Sequence, residues 1–432
     1  MSEARVIKPD RLQARWDIFD LEALLPTDHR ARLVWGFVES LNLEEFYAAI
    51  GSREGSAGRP GADPAVLLAL WLYATVEGVG SARELDRLAE RDIAYRWLAG
   101  GVPVNYHGLS DFRVAHMQLL DRLLTRSVTA LVREGLITLE AIAVDGTKVR
   151  ASVSRGSMKK ADRLRAIEAE ASQRIETLKR ELMEDSGASS RRVQAARERA
   201  ARDVQARVRQ AREAMERLES ERKARAAKHR KDEARKGEPK VSTTDPQARE
   251  MRFPDGAVRP AYNAQIAATP DEGVIVSVDM TERRNDMGLA APMVDDIVRR
   301  YGRTPERLLV DAGYAKAADI VDLSRHEAGA VIVFAPVPKS RAKATAASRA
   351  RLCARRAREP QCLKDWRERM QSAAGQAVFA LRKRIEQIHA DRKNHGFGFI
   401  PVRGLVKAKA VALWHALAHN LIVAERLRAK AA

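Results

Sequence analysis

One stretch limits what this chain can fold into. From Thr138 to Ala151, Leu139, Ile142 and Val144 with the small Ala141 and Ala143 make a nearly continuous apolar run, closed by Asp145-Gly146-Thr147. An apolar strand without alternation is covered on both faces, so the run predicts a central strand of an α/β sheet. Its abrupt end predicts a carboxylate carried to the lip of that sheet, with Gly146 releasing the backbone into a turn. Taken alone, Asp145 reads as well as a turn cap. The arrangement occurs again, however, at Arg307-Leu-Leu-Val-Asp311, an apolar strand that ends in an acid, with Gly313-Tyr314 turning the chain away.

Two strand-like runs, Ala261–Ala268 and Gly273–Asp279, lie between these motifs and are joined by a turn of hairpin length at Thr269-Pro-Asp-Glu272. A helix carrying Leu289, Met293, Ile297 and Tyr301 precedes the Asp311 strand. Ala315–Leu323 reads as a short helix, Gly329–Phe334 as a fifth strand, and Pro336 to about Gln371 as basic and irregular. A last helix follows over Val378–Lys393. Its Val378, Leu381, Ile385 and Ile388 face a core, while Phe379, Arg382, Glu386, His389 and Lys393 form a second stripe. Three strands, then helix, strand, helix, strand, helix is the order of a ribonuclease-H-like fold. Glu386 alone reads as an exposed charge paired with Arg382. With Asp145 and Asp311 it completes an oxygen-ligand set for two divalent ions.

The charge balance names the partner. Lys and Arg number 77 against 58 Asp and Glu, a net charge of +19, and such an excess favours a polyanion through long-range attraction and counterion release. No apolar run is long enough to span a bilayer and no signal-peptide core opens the chain, so no membrane is expected. Cys353 and Cys362 are too few for a disulfide framework and lack zinc-site spacing, which fits a reducing, cytoplasmic setting.

Around the sheet motifs, residues 1–135 read as a helical, self-contained, basic domain of the helix-turn-helix kind, with a flanking helical bundle as the alternative. Asp63-Pro64 opens one helix, Ser81 with Glu84 opens a second that leaves Arg83, Arg87 and Arg91 outside, and Ser110 to Leu131 reads as a third. The glycines of 51–61 lack the following Lys-Ser or Lys-Thr of a phosphate loop and read as a flexible connection. Residues 158–250 are dominated by charge. Stripes from Leu164 to Leu182 and from Val193 to Leu218, interrupted by Asp185–Ser190, predict an antiparallel helical hairpin followed by a basic tail over 222–240. It reads equally as a charged spacer or as an arm contacting DNA or a partner.

Asp145-Gly146-Thr147, Asp311-Ala-Gly-Tyr314 and the series Phe379, Arg382, Glu386, Lys393, with two, three and six residues intervening, resemble the DDE transposases of bacterial insertion sequences whose third acid sits in a Tyr-Arg-Glu-Lys signature. Phe379 stands where that signature has tyrosine. Gly58-Arg-Pro60, Asp63-Pro64, Gly80–Arg83, Phe112-Arg113, Ser242–Pro246 and Arg403-Gly404 through Asn420 extend the resemblance over most of the chain. The resemblance implies a ribonuclease-H-like catalytic domain at 136–157 and 251–432, behind a DUF772-like DNA-binding domain at 1–135. It implies cleavage at transposon ends and strand transfer to target DNA, with Asp145, Asp311 and Glu386 as catalytic residues and ligands of Mg2+ or Mn2+. Arg382, Lys393, Arg83 and Arg87 would contact DNA, His389 is an optional contact, and pairing two ends implies a homodimer or larger assembly in the bacterial cytoplasm, at the nucleoid. A ribonuclease-H-like nuclease that cuts without joining, and a DNA-binding protein that has lost catalysis, are the alternatives.

Overall fold

The computed structural model describes residues 20–50, 61–184, 188–228, 238–338 and 345–432. Most of the expected flexible connection at 51–61, the start of the expected break at 185–190 and the centre of the basic tail lie outside the described residues. In chain order the elements are helices α1 (Arg30–Glu39), α2 (Glu44–Ala48), α3 (Pro64–Val76), α4 (Ala82–Arg91), α5 (Ile93–Ala99), α6 (Tyr106–Ala115) and α7 (Met117–Arg133). There follow β1 (Ala141–Ala151), β2 (Met158–Lys159), α8 (Ala161–Glu184), α9 (Ala188–Lys228), β3 (Val241–Ser242), β4 (Arg249–Arg252), β5 (Val258–Ala268) and β6 (Ile275–Thr281). The chain closes with α10 (Ala290–Tyr301), β7 (Arg307–Val310), α11 (Ala317–Leu323), β8 (Ile332–Phe334), α12 (Ala346–Ala357), α13 (Gln361–Gln371), α14 (Ala373–Ala380), α15 (Lys383–Arg392), β9 (Phe399–Ile400) and α16 (Leu405–Ala431).

β1 is a central strand. On one edge it pairs antiparallel with β5, Ala143 to Arg150 facing Ala268 to Ala261; on the other it pairs parallel with β7, from Ala141 with Arg307 to Val144 with Val310. β6 and β4 continue the sheet beyond β5, and β8 continues it beyond β7. Ile142, Ala143 and Val144 have no solvent exposure, as two-sided cover requires.

Several sequence expectations are corrected. The pattern from Ser110 to Leu131 is two helices meeting at His116, and α6 starts earlier, where the Asn105 side chain accepts the Gly108 N–H. The basic stretch after Pro336 contains α12 and α13; Leu363, Trp366 and Met370 of α13 are buried, and the Trp366 indole donates to the Ala335 carbonyl at 3.0 Å. The last helix is stepped: Leu381 and Arg382 donate to Val378 and Phe379, three residues back, so α14 and α15 meet through a tightened turn that leaves Leu381 exposed. α8 and α9 pack against each other through Leu164, Ala211, Ala214 and Met215, with Arg212 paired to Glu168, while Val204 stays exposed.

The largest correction concerns the described residues before β1, whose core is continuous with that of the sheet. α3 is capped by Asp63, whose carboxylate accepts the Ala65 N–H, and buries nearly its whole circumference. Part of that cover is α16, from the other end of the chain. Trp414 lies 6.4 Å from Trp71 and 6.3 Å from Phe112, centroid to centroid, and donates its indole N–H to the Arg113 carbonyl at 2.9 Å. The buried Arg300 of α10 binds Asp121 and Thr125 of α7 together with Asp296 on its own helix. Asp296 is thereby an anchor between layers rather than a plain helix carboxylate. Trp414→Ala should therefore cost about 3–5 kcal/mol, and urea should unfold the N-terminal helices and the sheet in one transition. Two separated transitions would show independent cores.

Candidate active site

Asp145 lies inside β1, not at its end. Pairing with β5 continues to Arg150 and holds the strand straight, so Gly146 makes no turn. The lip is made by the neighbour instead. β7 pairs only as far as Val310, and β9 joins the same edge of β1 at Arg150. One residue beyond the Val144–Val310 pair, Asp145 and Asp311 are carried side by side where the parallel half of the sheet stops. The Asp311 carboxylate accepts the Gly313 N–H at 2.7 Å, which fixes the turn away from the sheet.

Gly146 is needed for close approach. A Cβ at that position would overlap the carboxylate of Asp286 and the amide of Gln265. Asp286, in the loop after β6, accepts from Asn263 Nδ2 at 2.7 Å and Gln265 Nε2 at 2.8 Å, and Gln265 Oε1 in turn accepts the Tyr314 hydroxyl. Asn263 and Gln265 are each 2 % exposed and Tyr314 1 %, so these three are buried beside the acids while Asp286 is partly exposed. Sequence reasoning missed it. The available signal was two amides at a spacing of two on the otherwise apolar β5, which places both on one face.

α15 packs against β1 and β5 beside these acids. Arg382 places Nη1 3.3 Å from Asp145 Oδ2 and binds Glu386 on its own helix, so one guanidinium stands between the first and third expected acids. His389 places Nε2 3.7 Å from Asp145, and neither of its ring nitrogens has a hydrogen-bond partner. Burial, then Lys393 and Arg382, holds the His389 imidazole neutral, down to about 3. Burial also lowers Lys393, which Asp145 opposes. The Asp145 carboxyl is pushed up to about 6, by burial first; Arg382 and the Gly146 N–H pull it down while Asp311 and Asp286 add to the rise. Tyr314 is raised by burial and then by the three acids Asp286, Asp145 and Asp311.

The structure therefore gathers Asp145, Asp311, Arg382, His389 and Lys393, reaches Glu386 through Arg382, and adds Asp286. Glu386 is exposed. Arg83 and Arg87 sit elsewhere, on α4: Arg83 lies over the Tyr106 ring at 5.0 Å and Arg87 pairs with Glu84. Among the described residues no three His, Cys, Asp or Glu side chains converge closely enough to hold an ion in this arrangement. The donor set nonetheless suits one: carboxylate oxygens match Mg2+ or Mn2+, and a desolvated Asp145 beside other acids is relieved by a cation.

Comparison with known families agrees with these motifs. Residues 207–422, half of the chain, match the transposase DDE domain, and residues 19–115 match the transposase domain DUF772. The chain belongs to the DDE transposases. The first match contains Asp311 and Glu386, whereas Asp145 lies before its start. No curated protein and no solved structure matches. The transposase is thus an insertion-sequence enzyme of DNA transposition, in a family that generally uses divalent metal ions. Among its described residues no helix is long and apolar enough to cross a membrane.

The raised Asp145 carboxyl fixes the sign of a pH effect. Its folded value lies above the unfolded value of 3.8, so the folded state holds the proton longer and this group removes stability as pH rises from about 4 to 6. In chelator-containing buffer, Asp145→Asn should be more stable than the parent at pH 7 by roughly 3 kcal/mol, the gain vanishing below about pH 4. A loss of stability at pH 7 would mean that the Arg382 contact outweighs desolvation.

Proposed function

We propose that the transposase binds the terminal repeats of its element and carries out divalent-ion-dependent strand cleavage and strand transfer at the centre formed by Asp145, Asp311 and Glu386. The observation that carries this reading is the register of β1 with β7, which sets Asp145 and Asp311 side by side beneath the helix bearing Arg382 and Glu386. The strand order β6, β5, β1, β7, β8, antiparallel then parallel, supports a ribonuclease-H-like catalytic domain over 136–157 and 251–432. On this reading 158–250 is a helical insertion and 1–135 is a DNA-binding region docked onto α16.

Asp145, Asp311 and Glu386 would hold two divalent ions, which when bound supply an activated nucleophile and charge neutralisation at the leaving oxygen. The remaining work belongs to the chain. Arg382 neutralises Asp145 and Glu386 and is placed to transfer that contact to a phosphate, which exchanges one anion for another. Lys393, exposed at the end of α15 and near Asp145, adds a second cation whose proton affinity is lowered by partial desolvation. His389 is neutral and presents a ring nitrogen toward Asp145. Buried Asn263, Gln265 and Tyr314 tie partly exposed Asp286 against the β5 side of β1. Two transposon ends require at least a dimer at the moment of joining, and a basic protein of this kind acts at the bacterial nucleoid.

The test is an end-cleavage assay on DNA carrying the inverted repeats that flank the reading frame. Asp145→Asn, Asp311→Asn and Glu386→Gln should each lower Mg2+-dependent cleavage by at least a hundredfold while DNA affinity changes less than about threefold. Arg382→Ala and Lys393→Ala should weaken both. Full cleavage by Glu386→Gln would remove Glu386 from the centre, and cleavage without joining would favour a nuclease.

A further inference from the structure

A cavity of about 760 Å³ opens between α3, α4 and α6 on one side and α16 with the turn after α15 on the other. Its composition is unlike the acid centre. Arg113, the second residue of the Phe112-Arg113 pair, is 6 % exposed and lines it. Its guanidinium stands 4.8 Å over the Trp71 ring, one Nη1–H donates to the Gly80 carbonyl at 2.6 Å, and the buried Nε has no partner. Among the described residues no carboxylate pairs with it, and burial alone lowers its proton affinity, to about 10. A buried guanidinium without an acid is costly, since the cation gives up water and receives no countercharge. Elsewhere the protein avoids that cost: buried Arg300 has Asp121 and Asp296, and buried Arg249 has Glu282.

The lining shows what anion would fit. Exposed Arg83 sits over Tyr106 and lines the same cavity, adding a second cation, against Asp111 as the single carboxylate of the lining. The Tyr106 and His107 rings lie 3.9 Å apart, tilted by 33°, and both indole N–H groups of Trp71 and Trp414 are already donated to the Leu109 and Arg113 carbonyls. The two indoles therefore present apolar surfaces, beside the amphipathic Tyr106 and His107 rings. The volume lies within the range of small-ligand sites, roughly 300–1,000 Å³, and exceeds what a bare phosphate fills. We propose that this cavity binds one nucleotide of a DNA strand, its phosphate held by Arg113 and Arg83 and its sugar and base against the aromatic walls. The site is separate from the acids and rests on the reading of the transposase as a DNA-binding enzyme. It gives Arg83 a task that Arg87, paired with Glu84, does not share.

The experiment uses the full chain and two probes. Thymidine 5′-monophosphate should quench tryptophan emission and raise the melting temperature of the parent protein; thymidine should do neither, and inorganic phosphate at equal concentration should give a clearly smaller response. Arg113→Met should lose the nucleotide response and Arg113→Lys should keep part of it. With a terminal-repeat duplex, Arg113→Met should bind about tenfold more weakly, with the slope of log affinity against log salt reduced by about one. Equal nucleotide responses in parent and Arg113→Met would overturn the proposal, as would inorganic phosphate matching the nucleotide, which would make this a free-phosphate site. If Arg113→Met does not fold, the contrast among nucleotide, nucleoside and phosphate on the parent and Arg113→Lys decides. A parent that binds the nucleotide but no duplex would sink the DNA reading instead, so the two failures are distinguishable.

Discussion

β1 is hydrogen-bonded on both edges, but unequally, and the candidate site is a consequence of that inequality. On the β5 edge the ladder runs unbroken to Arg150; on the other it stops at Val144 and resumes only with β9. The gap leaves a polar edge in the middle of a buried strand, where an unpaired backbone would otherwise be costly. Asp145 opens the gap, Asp311 leaves β7 at its margin, and α15 packs against β1 and β5 beside them.

Placing acids there creates an electrostatic problem that the rest of the fold answers. Asp145 is desolvated and faces Asp311 and Asp286, so its charged form is disfavoured. Arg382 answers from α15, at the tightened turn between α14 and α15, and it shares its charge with Glu386. Asn263 and Gln265 answer from β5 by donating to Asp286. Of these groups Arg382 is the exchangeable one: a cation can take its place at the acids, and a phosphate can take the place of the acids as its partner.

Much of this was legible because the signals were local. Two apolar strands each followed by an acid, and the stripe containing Arg382, Glu386 and Lys393, depend on spacings of a few residues. The errors arose where distant parts of the chain decide. Gly146 read as a turn because glycine most often marks one, whereas the constraint is Asp286, far along the chain. Leu381 read as core because a regular helix was assumed through a tightened turn. Residues 1–135 read as self-contained because their apolar count is large enough, and nothing in that segment reveals that Trp414 is part of their core. Asp286 itself, in Arg283-Arg-Asn-Asp286, carries no local signal, because the two amides that bind it come from β5.

The central claim is that Asp145, Asp311 and Glu386 form a divalent-ion centre which Arg382 neutralises until a cation or phosphate arrives. Mn2+ binding to the DNA-free protein, followed by electron paramagnetic resonance, tests it directly. If the guanidinium competes with the ion for Asp145 and Glu386, Arg382→Ala should bind Mn2+ several-fold more tightly than the parent, and Arg382→Ala combined with Asp145→Asn should lose that gain. Unchanged or weaker Mn2+ binding in Arg382→Ala would show that the acids are not a cation site held in check by this arginine.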